Sequence, residues 1–166
     1  LTPGAAILNK YRIVKQIGQG GMATVWLAQE PAFGNRQVAL KELRADLPAM
    51  DLPDAQRRFH QEVEVCAALE AVKAPNVVRM HTVEPYEGSL LLVMDYMAGG
   101  DLAERIKQNS QGLALEEAVA VARRVLAALQ AAHEHPLEIV HRDIKPSNIL
   151  FDGEGRAYLA DFGLAQ

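Results

Sequence analysis

His141-Arg142-Asp143-Ile144-Lys145-Pro146-Ser147-Asn148 is the stretch on which the reading of this chain turns. Each polar residue in it could stand alone as solvated loop, because loops are rich in such side chains. In this order they make a chemical set: a carboxylate, a lysine just after it, and an amide one turn further on. Asp143 can accept a proton from an attacking hydroxyl, Lys145 can neutralise a transferring phosphoryl group, and Asn148 can turn back to bind a metal ion.

Downstream, Ile149–Phe151 and Ala157–Ala160 read as short strands flanking the turn Asp152-Gly153-Glu154-Gly155. The second strand delivers Asp161-Phe162-Gly163, where Asp161 is placed to meet a Mg²⁺ that bridges phosphates. An Asp-Phe-Gly alone is an ordinary turn; across a hairpin from Asn148 it completes the set. Upstream, Ala98-Gly99-Gly100 is the clearest break in the chain, and the helical patterns Leu102–Gln108 and Glu116–His133 follow it. In the longer helix, Ala118, Val121, Ala122, Val125, Leu126 and Leu129 form the expected apolar face, with Arg123, Arg124 and Gln130 outside it. His135-Pro136 closes that helix.

The amino-terminal half reads differently. Tyr11–Ile17, Thr24–Ala28 and Gln37–Glu42 have strand character, separated by a Gly-rich turn and by Phe33-Gly34-Asn35-Arg36. A helix follows Pro53-Asp54, with Phe59, Val63, Cys66 and Ala67 at helical spacing. Val77–Val83 and Leu90–Asp95 read as two more strands joined across Tyr86-Glu87-Gly88-Ser89. The expectation is an α+β chain: five antiparallel strands and one main helix in residues 1–97, then a helical segment in 98–166.

Gly18-Gln19-Gly20-Gly21-Met22-Ala23-Thr24-Val25 follows a strand, and its Gly-x-Gly pattern lets backbone amides approach phosphates closely. A dinucleotide-binding turn would need a helix directly after the glycines, whereas Thr24-Val25-Trp26-Leu27 is β-prone. A plain glycine-rich hairpin remains the bland alternative. Val38-Ala39-Leu40-Lys41 sets a lysine on an alternating apolar strand, where a solvent-facing charge is the simplest reading. A carboxylate partner on the next helix changes that. With Phe59 at 0° and about 100° per residue, Glu62 falls near −60°, bordering the buried face, and Glu64 near 140°, toward solvent. Glu62 is therefore the better partner for an inward Lys41.

Composition narrows the classes. The chain has 166 residues, 49% hydrophobic and 23% charged, an ordinary globular balance. Net charge is −4 with lysine and arginine spread along the chain, so no basic stripe points to nucleic acid. No apolar run, Leu90 to Met94 and Val119 to Leu129 included, is long and uninterrupted enough to span a bilayer. The single Cys66 leaves no internal disulfide or CxxC spacing and fits a reducing compartment. None of the five histidines has metal-site spacing, and His60, His133 and His135 read as surface residues.

The Gly-rich loop, strand lysine, helix glutamate, catalytic loop and Asp-Phe-Gly resemble, in order, the signature set of protein kinases. The resemblance runs from about Tyr11 to the end of the chain. Lys145 resembles the Ser/Thr branch, while Gly20-Gly21-Met22 and Arg58-Phe59-His60-Gln61-Glu62 resemble bacterial eukaryotic-like Ser/Thr protein kinases. The resemblance implies a protein-kinase-like fold that transfers the γ-phosphoryl of ATP, with Mg²⁺, to a Ser/Thr hydroxyl of a protein substrate. Lys41 would hold the α/β-phosphates, Glu62 would pair with it, Asp143 would be the base with Lys145 beside it, and Asn148 and Asp161 would bind Mg²⁺. The nucleotide would meet Ile17, Gly18, Gln19, Gly20, Gly21, Met22 and Ala23 of the loop. Adenine would lie against Val25, Ala39 and Leu150, with Met94 as gatekeeper and Asp95-Tyr96-Met97 as hinge.

One departure is Ala23 in place of the third loop glycine, with little expected loss. Another is that no activation segment or Ala-Pro-Glu motif follows Gln166, and both ends read as cuts. The segment alone is therefore expected to bind Mg-ATP weakly and to transfer poorly. Arg142 stands where relatives pair an arginine with a phosphorylated loop. A regulatory pseudokinase would lack the lysine or one of the aspartates, all present here. A small-molecule phosphotransferase of kinase-like fold would share the Asp/Asn loop, but the contiguous His141-to-Lys145 run argues against it. The expected localisation is cytoplasmic, and no oligomeric state is legible.

Overall fold

A computed structural model describes residues 1–44, 47–48, 51–109 and 112–162. By internal packing the chain forms two units, one of Leu1–Val63 with Met80–Tyr96 and the other of Glu64–Arg79 with the residues from Met97 onward.

The first unit is built on a single sheet whose strands are β1 (Ala6–Ile7), β2 (Tyr11–Gln19), β3 (Ala23–Glu30), β4 (Arg36–Leu43), β5 (Met80–Tyr86) and β6 (Ser89–Asp95). Their order is β1-β2-β3-β4-β6-β5, with antiparallel neighbours throughout. The sheet thus has six strands where the sequence pattern indicates five. The extra one, β1, is two residues long, too short to show a period of two. Strand β5 begins at Met80 rather than Val77, because Val77 bridges Leu159 in the second unit, with Asn76 O accepting from the Leu159 amide and the Val78 amide donating to Leu159 O.

Strands β3 and β4 stay in unbroken register from Ala23 opposite Leu43 to Glu30 opposite Arg36. The reversal between them uses Gly34 at φ 67° and Asn35 at φ 59°, a left-handed pair that glycine and asparagine tolerate best. Strand β2 carries two register shifts, between Ile13 and Lys15 and between Gln16 and Gly18, which bend it as it runs into the Gly-rich loop. One face of the sheet holds the core of Ile7, Tyr11, Ile13, Trp26, Ala28, Val38, Leu40, Leu91 and Val93. Alternation then puts Ala39 and Lys41 on the opposite face of β4, and both are buried there.

Helix α1 (Leu52–Ala71) buries Ala55, Phe59, Glu62 and Leu69. With Phe59 at 0°, these positions span roughly 0° to −80°, so the buried face is centred near Glu62. The face expected through Val63 and Ala67 is rotated from the observed one: Val63 and Cys66 are half-buried and Ala67 is exposed.

In the second unit, helices α2 (Leu102–Gln108) and α3 (Leu115–His133) precede a two-stranded hairpin of β7 (Ile149–Phe151) and β8 (Ala157–Leu159). Asp101 caps α2, its Oδ1 accepting from the Glu104 amide at 2.8 Å. The buried stripe of α3 is Val121, Val125, Ala128 and Ala132. Ala122 and Leu126, expected on that face, are exposed, because the stripe follows i, i+4, i+7, i+11 from Val121 and leaves them to one side. The core joins these residues to Leu69, Leu102, Ile139, Ile149, Phe151, Ala157, Leu159 and Phe162. Among the described residues no helix is long and apolar enough to cross a membrane.

The break at Ala98-Gly99-Gly100 is where the chain lies against the hairpin. The Gly99 amide donates to Phe151 O and the Phe151 amide to Gly100 O, both at 2.8 Å. A Cβ on Gly99 would stand 2.6 Å from Asp152 O and 2.7 Å from Phe151 Cβ. The first of those is backbone and cannot rotate aside. Gly99→Ala is therefore expected to destabilise the protein by about 2 kcal/mol, as overpacked sites do. Gly153→Ala, where an added Cβ meets nothing within 4 Å, should leave the melting temperature nearly unchanged. Thermal unfolding of the two variants side by side checks the contrast.

Candidate active site

In the first unit the site is set by β4 and α1. Lys41 projects from the sheet face shared with Ala39, and its Nζ lies 2.5 Å from Glu62 Oε1. Their side chains are 11% and 4% exposed, so this is a buried ion pair rather than a surface one. Glu64, two residues on, is exposed. The β4–β6 register places Ala39 opposite Met94 and Lys41 opposite Leu92, which sets Met94, Asp95, Tyr96 and Met97 in sequence along the exit from β6; all four are half-buried.

The loop between β2 and β3 turns on one short bond, Gly20 N to Ala23 O at 2.8 Å. Gly18, Gly20 and Gly21 have no left-handed φ. A Cβ on Gly18 or Gly20 would meet neighbours only at 3.7 Å or beyond, and one on Gly21 nothing within 4 Å. The protein's own packing therefore does not demand glycine there. Ala23 opens β3, buried and in regular register, so alanine fits at that position without strain. Ile17 is 39% exposed at the rim of the sheet, and Val25 is half-buried.

In the second unit Asp143 is the hub. Its Oδ2 accepts from Lys145 Nζ at 2.6 Å and from Asn148 Nδ2 at 3.1 Å, and its backbone carbonyl accepts from the same Asn148 nitrogen at 2.8 Å. A short 3-10 turn, Pro146–Asn148, provides the reversal that brings Asn148 back. The hydrogen bond from Lys145 holds the Asp143 carboxyl below its ordinary value, helped by Asn148 and opposed by partial burial and the nearby Asp161 charge. Lys145 is pushed up for the reciprocal reason, its hydrogen bond to Asp143.

His141 anchors the loop from beneath. It is 1% exposed. Its Nε2 lies 2.9 Å from Ala160 O, its Nδ1 accepts from the Asp143 amide at 3.2 Å, and its ring packs 4.6 Å from Phe162. A carbonyl only accepts and an amide only donates, so the proton sits on Nε2. The Ala160 amide donates to Asn148 O at 2.9 Å, which brings Asp161 to the same end of the hairpin as Asn148. Arg142 and Asp161 both have left-handed backbones, φ 63° and 66°. Such strain costs about 1 kcal/mol or more per residue and persists only where neighbours over-determine it. Here the hydrogen bonds of His141, Asp143 and Ala160 do so.

Asn148 turns its amide nitrogen to Asp143, which leaves Oδ1 as its remaining side-chain acceptor, and Asp161 would add a carboxylate, so both offer oxygen only. That set suits Mg²⁺, a hard cation that keeps several waters and needs one or two protein oxygens besides phosphate. Among the described residues no group of three or more His, Cys, Asp or Glu is placed to hold a metal ion. Gly163 of the Asp-Phe-Gly segment lies outside the described residues. Leu150, half-buried in β7, completes the residues singled out from sequence.

The family model for the protein kinase domain matches residues 11–166. The chain belongs to the protein kinase family. It is 37% identical over 163 residues to the probable serine/threonine-protein kinase PknB of Lactococcus lactis, which covers 98% of this chain and 25% of that protein. It is 37% identical over 162 residues to serine/threonine-protein kinase PrkC of Bacillus subtilis (98% and 24%), and 39% identical over 165 residues to serine/threonine-protein kinase PknJ of Mycobacterium tuberculosis (97% and 26%). The chain spans about a quarter of the length of these curated relatives.

The sequence patterns give His141 no role of its own, and they place Asp95 in the hinge without its partner. The ring of His141 looked like part of a polar loop, and its only sequence signal is the apolar pair Ile139-Val140 before it. Asp95 Oδ1, at the end of β6, lies 2.8 Å from His81 Nε2 of β5, a cross-strand pairing that no local pattern announces. The Asp143–Lys145 geometry makes a definite prediction. Because Lys145 is the largest cause of the lowered Asp143 carboxyl, Lys145→Met should move the Asp143 titration upward, toward the ordinary carboxylate range. Carboxyl ¹³C NMR of Asp143 across pH 2.5–6 in both proteins checks it, and an unmoved midpoint would remove Lys145 as the cause.

Proposed function

We propose that this chain carries the nucleotide-binding and catalytic residues of a Ser/Thr protein kinase, which transfers the γ-phosphoryl group of ATP to a hydroxyl of a protein substrate. Residues 1–97 supply the nucleotide-binding part and residues 98–166 the catalytic loop and the Asp-Phe-Gly segment. The observation that carries this reading is the convergence on Asp143, whose carboxylate is held by Lys145 and Asn148 and whose amide is held by His141.

Asp143, ionised at neutral pH by the hydrogen bonds it accepts, orients the substrate hydroxyl and takes its proton. Lys145, 49% exposed, can turn an N–H to the transferring phosphoryl group while keeping another on Asp143. Lys41, fixed by Glu62, offers a cation that is already ordered for the α/β-phosphates. The glycines of the loop, which the protein's packing does not require, leave room for phosphate oxygens against backbone amides. Ile17, Val25, Ala39, Met94 and Leu150 supply apolar surface for adenine, and the backbone of Asp95 to Met97 its polar edge. Asn148 and Asp161 would hold Mg²⁺, which when bound neutralises charge on the phosphates. Such a reaction draws on the ATP of the cytoplasm. The isolated 166-residue segment should transfer poorly, since Leu115, Leu126 and Leu137 are 74%, 63% and 64% exposed and favour self-association.

The test uses the full-length protein with Mg-ATP labelled at the γ-phosphoryl. Asp143→Asn should lower labelling of protein Ser/Thr about 10²- to 10⁴-fold, the usual worth of a general base, while ATP still binds. Lys41→Met should abolish labelling mainly through weaker or misplaced ATP. Labelling that persists in Asp143→Asn would remove Asp143 as the base, and ATP binding without transfer in the unsubstituted protein would point instead to a regulatory pseudokinase.

A further inference from the structure

Arg44, just beyond β4, is tied to the Gly-rich loop by three hydrogen bonds to three successive carbonyls. Its backbone amide donates to Met22 O at 2.9 Å, and its Nη1 donates to Gly20 O at 3.3 Å and to Gly21 O at 3.4 Å. The backbone bond follows from register, since Ala23 faces Leu43 and the next pair outward is Met22 and Arg44. The side-chain bonds do not follow from register. They require a side chain long enough to reach past the end of the ladder, and both come from one nitrogen, Nη1, shared between two neighbouring oxygens.

The consequence lies in the peptide planes. In a trans peptide the C=O of one residue and the N–H of the next point in opposite directions. Carbonyls of Gly20 and Gly21 turned toward Arg44 therefore turn the amides of Gly21 and Met22 away from it, side by side. Successive amides facing one way form a concave anion-binding nest. Glycine would otherwise let these planes rotate freely, because Gly20 and Gly21 are exposed and an added Cβ there would meet almost nothing. The loop thus pairs freedom at its glycines with an external tether that selects one orientation.

We propose that Arg44 is a positioning residue for phosphate: it holds the Gly20 and Gly21 carbonyls so that the Gly21 and Met22 amides are preset for the phosphates of ATP. This rests on the kinase reading above. Arg44 does not itself touch the nucleotide. Its effect is confined to ligands that carry phosphate, and it acts through hydrogen bonds rather than through its charge.

The experiment compares Arg44→Met and Arg44→Gln in the full-length protein, titrated calorimetrically with Mg-ATP and, separately, with adenosine. Arg44→Met should weaken ATP binding about fivefold, the worth of roughly one net hydrogen bond, and leave adenosine within twofold. Arg44→Gln, neutral but still a donor, should recover part of the loss. In steady-state kinetics the loss should appear in KM for ATP, with kcat within twofold. Unchanged ATP affinity in Arg44→Met would overturn the proposal. So would a parallel loss of adenosine, which marks a merely structural role. Arg44→Gln as weak as Arg44→Met, with both differences from the unsubstituted protein vanishing at high salt, would assign the effect to charge and overturn it as well. If the unsubstituted protein binds adenosine and ATP equally, or neither, the kinase reading itself falls, an outcome separate from any difference among the variants.

Discussion

The buried ion pair between Lys41 and Glu62 is the constraint from which the first unit of the chain takes its form. Taking two opposite charges out of water costs several kcal/mol each, and their attraction offsets this only in good geometry. A buried pair of this kind is weak evidence for stability. It is strong evidence for orientation, because only one rotation of α1 sets Glu62 inward at the level of β4 where Lys41 emerges. Phe59 and Ala55 bury on the same face of that helix, so apolar packing and charge pairing select the same rotation. The alternation of β4 does the rest, with Val38 and Leu40 turned to the sheet core and Ala39 and Lys41 to the other side.

The catalytic loop obeys a different logic, since it contains neither helix nor strand between Ile139 and Pro146. Its shape comes from polar bonds to a rigid neighbour, the β7–β8 hairpin. His141 reaches Ala160, Asn148 is joined to Ala160 through backbone, and Asp143 accepts from Asn148 and donates its amide to the His141 ring nitrogen. The left-handed residues Arg142 and Asp161 stand directly beside these anchors. Strain placed next to several mutually supporting bonds is held as a fixed feature, and this is how an irregular segment can present a carboxylate with little freedom.

Most of this was legible in the sequence where a local rule applied. Helix α2, the hairpin strands and the choice of Glu62 over Glu64 follow from period, turn residues and phase, which depend on near neighbours. What escaped were features set by distant partners. Val77 and Val78 look like the start of β5, but Val77 bridges Leu159 of β8 through hydrogen bonds of Asn76 and Val78, a pairing across some eighty residues that no short pattern carries. Leu126 and Ala122 look like core because they are apolar, yet the stripe of α3 is decided by where Val121 and Ala128 meet the hairpin. His141 looks like a solvated polar residue, but its ring is as deeply buried as Leu69 and Leu92 of the core. Polar residues can be placed inside only when their hydrogen-bond partners are known, and those partners are tertiary.

Lys41 and Lys145 show how one kind of contact serves two purposes. Both ammonium groups sit against a carboxylate oxygen at almost the same distance, 2.5 Å and 2.6 Å. Their side chains differ in exposure, 11% against 49%. At low exposure the attraction is screened little and the loss of the partner would be costly, so Lys41 stays where Glu62 puts it. At high exposure water competes for the ammonium and an ion pair is worth little, so Lys145 can exchange or share its acceptor when another anion arrives. The phosphoryl transfer proposed above would use both behaviours, a fixed cation for the phosphates that remain in place and an adaptable one for the group that moves. The chain obtains them from the same residue type by placing one lysine mid-strand on a covered sheet face and the other on an open loop.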